Sequence, residues 1–447
     1  MLNLNKKSTA KQSNRSDLKR TYLKVFSFAF FCMFFAMTAN AQNVNIWATS
    51  SNDVITKNGS VTKIDMQEDP SIMDAIDQIP VSNLLKPASD LIDGHDGCLY
   101  GTTSQGGEKN VGVFYKIDKT SKRMEVLSDI NFLTYPGVTI TFDDKNDQVY
   151  GFAAYGGANN KGSIFSYDKA FNEYKELFAW KDVLNGAIPL GKPVVHDGHI
   201  YGVTEFGGEY ESGVLFSYDI EKGELTILKH FEDFVTGGKP CSEFVVHNNR
   251  IFGTTKLGGK YDGGTIYCYD LNNNKFSVMY NFIESDGKGG RALNVVNENY
   301  LMGCTVAGGE YDLGVLYTFN LSTRAYTKKI DFNWNNGAQP EAKLVETDKY
   351  QYVGYTTSGG HNGAGVYFSY DLEKNVLTKN FDFENEANSK INYSSFLVVN
   401  LNDKESVNES PILTGFSPTN ETNDLIVQSE QADDSYLLLG NSKSAAK

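Results

Sequence analysis

The sequence predicts an all-β protein: a seven-bladed β-propeller of four-stranded blades, with six full repeats plus one composite blade closed by N- and C-terminal strands. Three observations carry this expectation. An apolar–glycine pair recurs at Tyr100-Gly101, Tyr150-Gly151, Tyr201-Gly202, Phe252-Gly253, Met302-Gly303 and Val353-Gly354, its glycines 50, 51, 51, 50 and 51 residues apart. Each copy keeps an inner ruler. Twelve residues after the apolar residue stands Gly112, Gly162, Gly213, Gly264, Gly314 or Gly365, and six further on Asp118, Asp168, Asp219, Asp270, Asn320 or Asp371. A di-glycine lies between, at 106/107, 156/157, 207/208, 258/259, 308/309 and 359/360. Around these marks run short β-rich segments broken by turn residues, with no helical period.

In chain order, residues 1–41 stand apart. Seven basic residues, from Lys6 to Lys24, precede a Phe-rich apolar run over 25–38 and a small-x-small site at Ala39-Asn40-Ala41. This reads as a secretory signal peptide, and the run is too short to span a bilayer. Cleavage near Ala41 would leave a secreted chain, periplasmic, extracellular or at the cell surface, with no membrane span. Residues 42–403 form the repeat domain. Its start is a worn copy: Trp47, Gly59 and Asp65 keep the spacings of twelve and six without the di-glycine.

The unit at 193–231 shows the blade. PVVH, IYGVT, VLFSYD and ELTILKHF are four strands, with turns at Asp197-Gly198 and Glu221-Lys222-Gly223. The third strand is apolar on both faces. One face carries Tyr115, Phe165, Phe216, Tyr267, Tyr317 and Phe368; the other carries Phe114, Ile164, Leu215, Ile266, Leu316 and Tyr367. A sheet apolar on both sides needs a neighbour on each. The glycines supply positive-φ turns, and the closing Asp is expected to cap the turn into the fourth strand. At the end of the repeats, Phe396–Asn400 matches the first-strand pattern of 244–248. Residues 394–400 are therefore expected to pair with 44–50 and close the ring. A rival scheme that builds the last blade from the tail fails the ruler, since Leu425 and Gln431 stand where Gly and Asp belong. The tail, 404–447, is polar and irregular, and partial disorder is expected there.

Charge narrows the partners. The whole chain carries −14; the leader holds +6, leaving −20 from residue 42 on. Such a surface disfavours nucleic acid and anionic membranes and admits neutral glycans, cationic partners or divalent ions. Four cysteines remain after the leader: Cys98, Cys241, Cys268 and Cys304. They share no repeat position and no CxxC spacing, so they read as small buried thiols, with a disulfide left open and no metal centre or cofactor expected. A monomer is expected.

The string LYGTTSQGG at 99–107, followed by Gly112-Val113-Phe114, closely resembles the Gloeo-Verruco (GloVer) tandem repeat, whose unit reads roughly LYGTT–GG–G–G-T-V-F. Six copies from about 99 to 383 show the frame. The resemblance implies an exported repeat protein and brings no catalytic residues; the tail matches no anchor signal of that family. The di-glycine before a strand ending in Tyr-Asp also resembles the kelch unit, an architectural likeness that does not give a function.

Three functions remain open. A binding module would use the face where second-to-third strand loops and blade-to-blade connections meet. Its candidate residues are Tyr210, Tyr261 and Tyr311, the acids Glu209, Asp262 and Asp312 beside them, and Trp180 and Trp334 in or next to the connections. Rings and carboxylates together suit a glycan or a protein ligand. An enzyme, a polysaccharide lyase or hydrolase, would use the central channel with His196, His199, His247 and Asp197. No Ser-His-Asp, HExxH or Asp-box pattern supports it, and no catalytic residue is assigned. A passive scaffold would display the same loops to a protein. The recurring Tyr-acid loops read more simply as solvated loops whose tyrosines cover the blades beneath.

Overall fold

The computed structural model describes residues 91–382, apart from 109, 111, 130–137, 158, 170–172, 242 and 341–343. It also describes 44–50, 60–65, 73–75, 84–87, 89, 393–400 and 413–414. The leader at 1–41 and nearly all of the tail from 404 lie outside these residues. Among the described residues the chain is all-β; its helical content is one turn at Asp233–Thr236 and a 3-10 turn at Glu284–Asp286.

Six antiparallel sheets share one plan, one for each copy of the ruler. The third repeat is the clearest. Ala187–His196, His199–Phe206, Val214–Asp219 and Glu224–His230 pair in that order, each strand with the next. The first strand is longer than the sequence suggests. PVVH is only its second half; the first half begins at Ala187 opposite Phe206. A register shift between Leu190 and Val194 separates the halves, at Gly191-Lys192-Pro193. In the fourth and sixth repeats the same break divides the strand outright, into Gly238–Pro240 and Val245–His247, and into Ala338–Pro340 and Val345–Asp348.

The apolar–glycine pair has a steric cause. Gly101, Gly151, Gly202, Gly253, Gly303 and Gly354 sit directly opposite Tyr115, Phe165, Phe216, Tyr267, Tyr317 and Phe368. A Cβ on any of these glycines would run into the facing ring. Each ring therefore lies across its glycine and is buried. Beside the glycine, Thr204 Oγ1 donates to the Phe206 carbonyl (2.9 Å) and accepts from the Val214 amide (3.2 Å). Thr103, Thr255, Thr305 and Thr356 repeat this bridge between second and third strands. The closing Asp caps its turn as expected. Asp219 Oδ1 accepts the Lys222 amide (2.9 Å), Asp118, Asn320 and Asp371 likewise accept the amide three residues on, and Asp270 accepts that of Asn272, two residues on.

From the second repeat to the fifth, a ring at the end of the fourth strand locks each sheet to the next. Trp180, Phe231, Phe282 and Phe332 each stand eighteen residues past the glycine that follows the di-glycine loop. Their amides donate to the carbonyls of Gly162, Gly213, Gly264 and Gly314 at 3.0–3.1 Å. Each ring then packs on the central ring of the next repeat: Trp180 on Phe216, Phe231 on Tyr267, Phe282 on Tyr317 and Phe332 on Phe368, at centroid distances of 5.2–5.5 Å. All four wedges are 0–1% exposed. At ~25 cal/mol per Å² over roughly 150–250 Å², one such ring contributes about 4–6 kcal/mol gross, before ordering entropy.

A further sheet joins the two ends of the repeat region. Its order is Met73–Ala75, Ser60–Asp65, Val44–Ser50, Tyr393–Asn400 and Leu413–Thr414. Val44 faces Asn400, Trp47 faces Leu397 and Ala48 faces Phe396, which is the pairing expected of 44–50 with 394–400. Of the tail, the described residues Leu413–Thr414 pair with Ser395 and Phe396 at the edge of this sheet, and the other segments of the rival scheme lie outside the described residues. Second strands meet the first strand of the following sheet, and Val44–Ser50 meets Leu84–Pro87 by the same rule. The architecture is all-β and propeller-like.

Candidate ligand-binding rim

One face is built from two kinds of segment. The loop between second and third strands turns on the di-glycine, whose residues all take positive φ, for example 79° at Gly207 and 83° at Gly208. The connection from the preceding repeat lies against it. Gly208, Gly259, Gly309 and Gly360 donate their amides to the carbonyls of Val183, Asp233, Glu284 and Trp334 at 2.5–2.8 Å. Each station of the rim thus joins one repeat's connection to the next repeat's loop.

The structure separates the candidate residues. Tyr210, Tyr261 and Tyr311 project outward, 45%, 53% and 51% exposed, and Trp334 is 53% exposed. Glu209 and Glu310 flank two of the tyrosines. Glu209, with Glu232 next, pushes the Tyr210 phenol above its ordinary pKa, and a hydrogen bond to Glu310 does the same for Tyr311. Lys260 Nζ sits 5.0 Å from the Tyr261 ring centre.

Trp180 does not join them. It is 1% exposed, its indole Nε1 donates to the Asn185 carbonyl (3.0 Å), and its ring fills the seam described above, where a ligand has no access. The ruler marks the difference: Trp180 aligns with Phe231, Phe282 and Phe332, whereas the position of Trp334 is held by Asp182, Asp233 and Glu284 in the second to fourth repeats. Asp262 and Asp312 are half committed. Their Oδ1 atoms accept the amides of Gly258 (3.0 Å) and Gly308 (2.8 Å). Asn110 and Asn160 make the same bond in the first two repeats, so this turn needs an acceptor and not a charge.

Sequence reasoning missed the apolar part of the rim. Of fourteen large apolar side chains exposed among the described residues, eleven lie here. Beside the three tyrosines and Trp334 stand Val183 and Leu184, Phe234 and Val235, Phe206, Leu257 and Ile283. Phe234, on the one-turn helix, is 79% exposed, and Leu184 is 65% exposed. The available signal was two apolar pairs, Val183-Leu184 and Phe234-Val235, inside otherwise polar connections.

The histidines of the enzyme reading occupy the opposite face and are engaged singly. His196 Nε2 is 3.1 Å from Asn249 Oδ1, and His247 Nε2 is 2.9 Å from the Glu298 carbonyl, each in the next repeat's turn. His199 Nδ1 lies 3.0 Å from the Asp197 carbonyl. The same side holds an open cavity of about 530 Å³ lined by His95, Asp96, Phe142, Asp144, Asp147 and Lys169. Its charges answer one another. Lys169 Nζ lies 2.7 Å from Asp147, 2.8 Å from the Gly94 carbonyl and 4.1 Å from the centre of the Phe142 ring. The thiols are unpaired; burial pushes Cys304 up to about 12 and Cys268 up to about 11.

Comparison with known proteins agrees with the repeat. A family model described as the Gloeobacter/Verrucomicrobia repeat matches residues 36–260 and 189–404. The chain belongs to this repeat family. No curated protein matches this Gloeobacter/Verrucomicrobia repeat chain in sequence. Among solved structures it is similar to a candidate 6-phosphogluconolactonase from Bacteroides uniformis, with 9% identity, 80% of this chain and 100% of that chain covered, and a TM-score of 0.54. A counterpart from Bacteroides fragilis gives 9% identity, 76% and 95% coverage and a TM-score of 0.52. A puromycin-hydrolyzing peptidase from Mycobacterium tuberculosis gives 13% identity, 78% of this chain, 53% of that chain and a TM-score of 0.51. At these identities the likeness concerns the fold alone.

Proposed function

We propose that this repeat protein is an exported, seven-bladed propeller that acts as a binding or scaffold module, taking a glycan or protein ligand on the rim of its third to sixth repeats. Seven blades are supported by six repeat sheets and one sheet shared by the two ends. Export is supported by the basic lead, apolar run and Ala39-Asn40-Ala41 site. The observation that carries the binding reading is the one-sided crowding of exposed apolar side chains, since apolar side chains exposed together on one face commonly mark an interaction site. The catalytic reading has no comparable support: its histidines each answer a turn group rather than one another.

The test is replacement of Tyr210, Tyr261 and Tyr311 together by Ala, followed by glycan-array and protein-binding assays. Loss of binding with an unchanged unfolding midpoint is the expected outcome. Retention of every interaction shown by the parent chain would remove these rings from the site. Turnover of a polysaccharide panel by the parent would restore the enzyme reading.

A further inference from the structure

We infer that the occupant of this rim is a polypeptide segment bearing positive charge and aliphatic or aromatic anchors; the inference rests on the rim reading above. Two independent features point to that chemistry. The first is the kind of apolar surface. Leu184, Phe234, Val235 and Leu257 are 65%, 79%, 58% and 47% exposed, and none offers a hydrogen-bonding group. A sugar ring presents hydroxyls around its edge and needs polar partners there, whereas a leucine or phenylalanine side chain needs only apolar area.

The second feature is the charge between these anchors. Over the rim segments 181–186, 205–213, 232–238, 256–264, 283–288 and 306–314, eight carboxylate residues are exposed: Asp182, Glu209, Glu211, Asp233 and Asp262, then Glu284, Glu310 and Asp312. Exposed ammonium groups number two, Lys181 and Lys260. Half-buried lysines on the same segments are spoken for: Lys256 Nζ lies 3.4 Å from Glu205, and Lys288 Nζ lies 3.2 Å from Glu284. The rim of the sixth repeat, 357–364, carries neither acid nor ammonium group. The acidic arc therefore coincides with the apolar one. An acidic field around apolar anchors steers a cationic chain in and repels nucleic acid, anionic lipid and acidic segments. Burial of a few anchors at such a patch then supplies most of the affinity.

The test titrates the full chain with two short labelled peptides, one alternating Lys and Leu and one alternating Glu and Leu, read by fluorescence anisotropy. The Lys-Leu peptide should bind at least about tenfold more tightly than its acidic twin and weaken as salt rises. The double variant Leu184→Ser with Phe234→Ser should lose about tenfold in affinity for it. A control pair of exposed apolar residues off the rim, Tyr300→Ser with Val376→Ser, should lose nothing. Equal binding of both peptides, or binding that ignores the Leu184 and Phe234 changes, overturns the inference. If that happens while the triple tyrosine variant still loses its array ligands, the rim reading stands and only the peptide chemistry falls. If neither variant changes anything, both fall.

Discussion

Trp180 and Trp334 stand in two of the connections between sheets, and their fates differ. Trp180 is a wedge in the seam, 1% exposed against Phe216. Trp334 lies on the rim, 53% exposed, two residues past the wedge Phe332. What separates them is the backbone bond that fixes the wedge. The amide of Trp180 or Phe332 is held by the carbonyl of Gly162 or Gly314, so that ring must enter the seam. Two residues on, it is the backbone carbonyl of Trp334, not its side chain, that is held, and the side chain is left to solvent. The repeat therefore dictates one position and frees another close by. Stability resides at the first and ligand recognition is proposed at the second.

The comparison can be broken most sharply at a wedge. Phe231→Ala or Phe282→Ala should lower stability by about 3–5 kcal/mol, read as a shift of the urea midpoint, because the cavity opens between two sheets. A loss below ~1 kcal/mol would mean that the seams do not hold the ring. A smaller effect is expected on the floor of the neighbouring seam, the one that Trp180 fills. Gly202→Ala drives a methyl into the Phe216 and Phe152 rings and should cost about 1–3 kcal/mol by thermal or urea unfolding. The smallest effect belongs to the rim. Trp334→Ala should leave stability within about 0.5 kcal/mol of the parent. A larger loss would place Trp334 among the structural residues and remove it from the proposed site.

Much of the fold was legible because the repeat reports steric necessity six times over. The glycine of each apolar–glycine pair is required by the ring that crosses it, and the closing Asp by the turn it caps, so both recur; the cap was read as such, whereas the paired glycines are not the positive-φ turn formers that the sequence suggested. The pairing of the two ends was legible because strand pattern and ruler survive in the worn copy around Trp47. The first half of each first strand was not legible. It is interrupted by a register shift, and Gly191-Lys192-Pro193 has the composition of a turn. The wedge was legible in principle: a ring recurs at 180, 231, 282 and 332, but one of the four is Trp, and a rare residue invites a functional reading. The rim's apolar members lay beyond reach of the ruler. Phe234 and Leu184 sit where the repeat imposes no residue type, so nothing periodic announces them, and their exposure depends on how the connection is folded.

The sheet shared by both ends has a consequence for the order of assembly. Val44–Ser50 is among the first strands of the domain to be made, and its partner Tyr393–Asn400 comes some 350 residues later. At a synthesis rate of roughly 5–20 residues per second, that early edge waits on the order of twenty seconds or more for its mate. Throughout that interval a row of unpaired amides and carbonyls is open to any passing strand, including the same edge of another nascent copy. The molecule's most exposed moment thus precedes its completion, and a holding factor that shields the N-terminal edge would be most useful then.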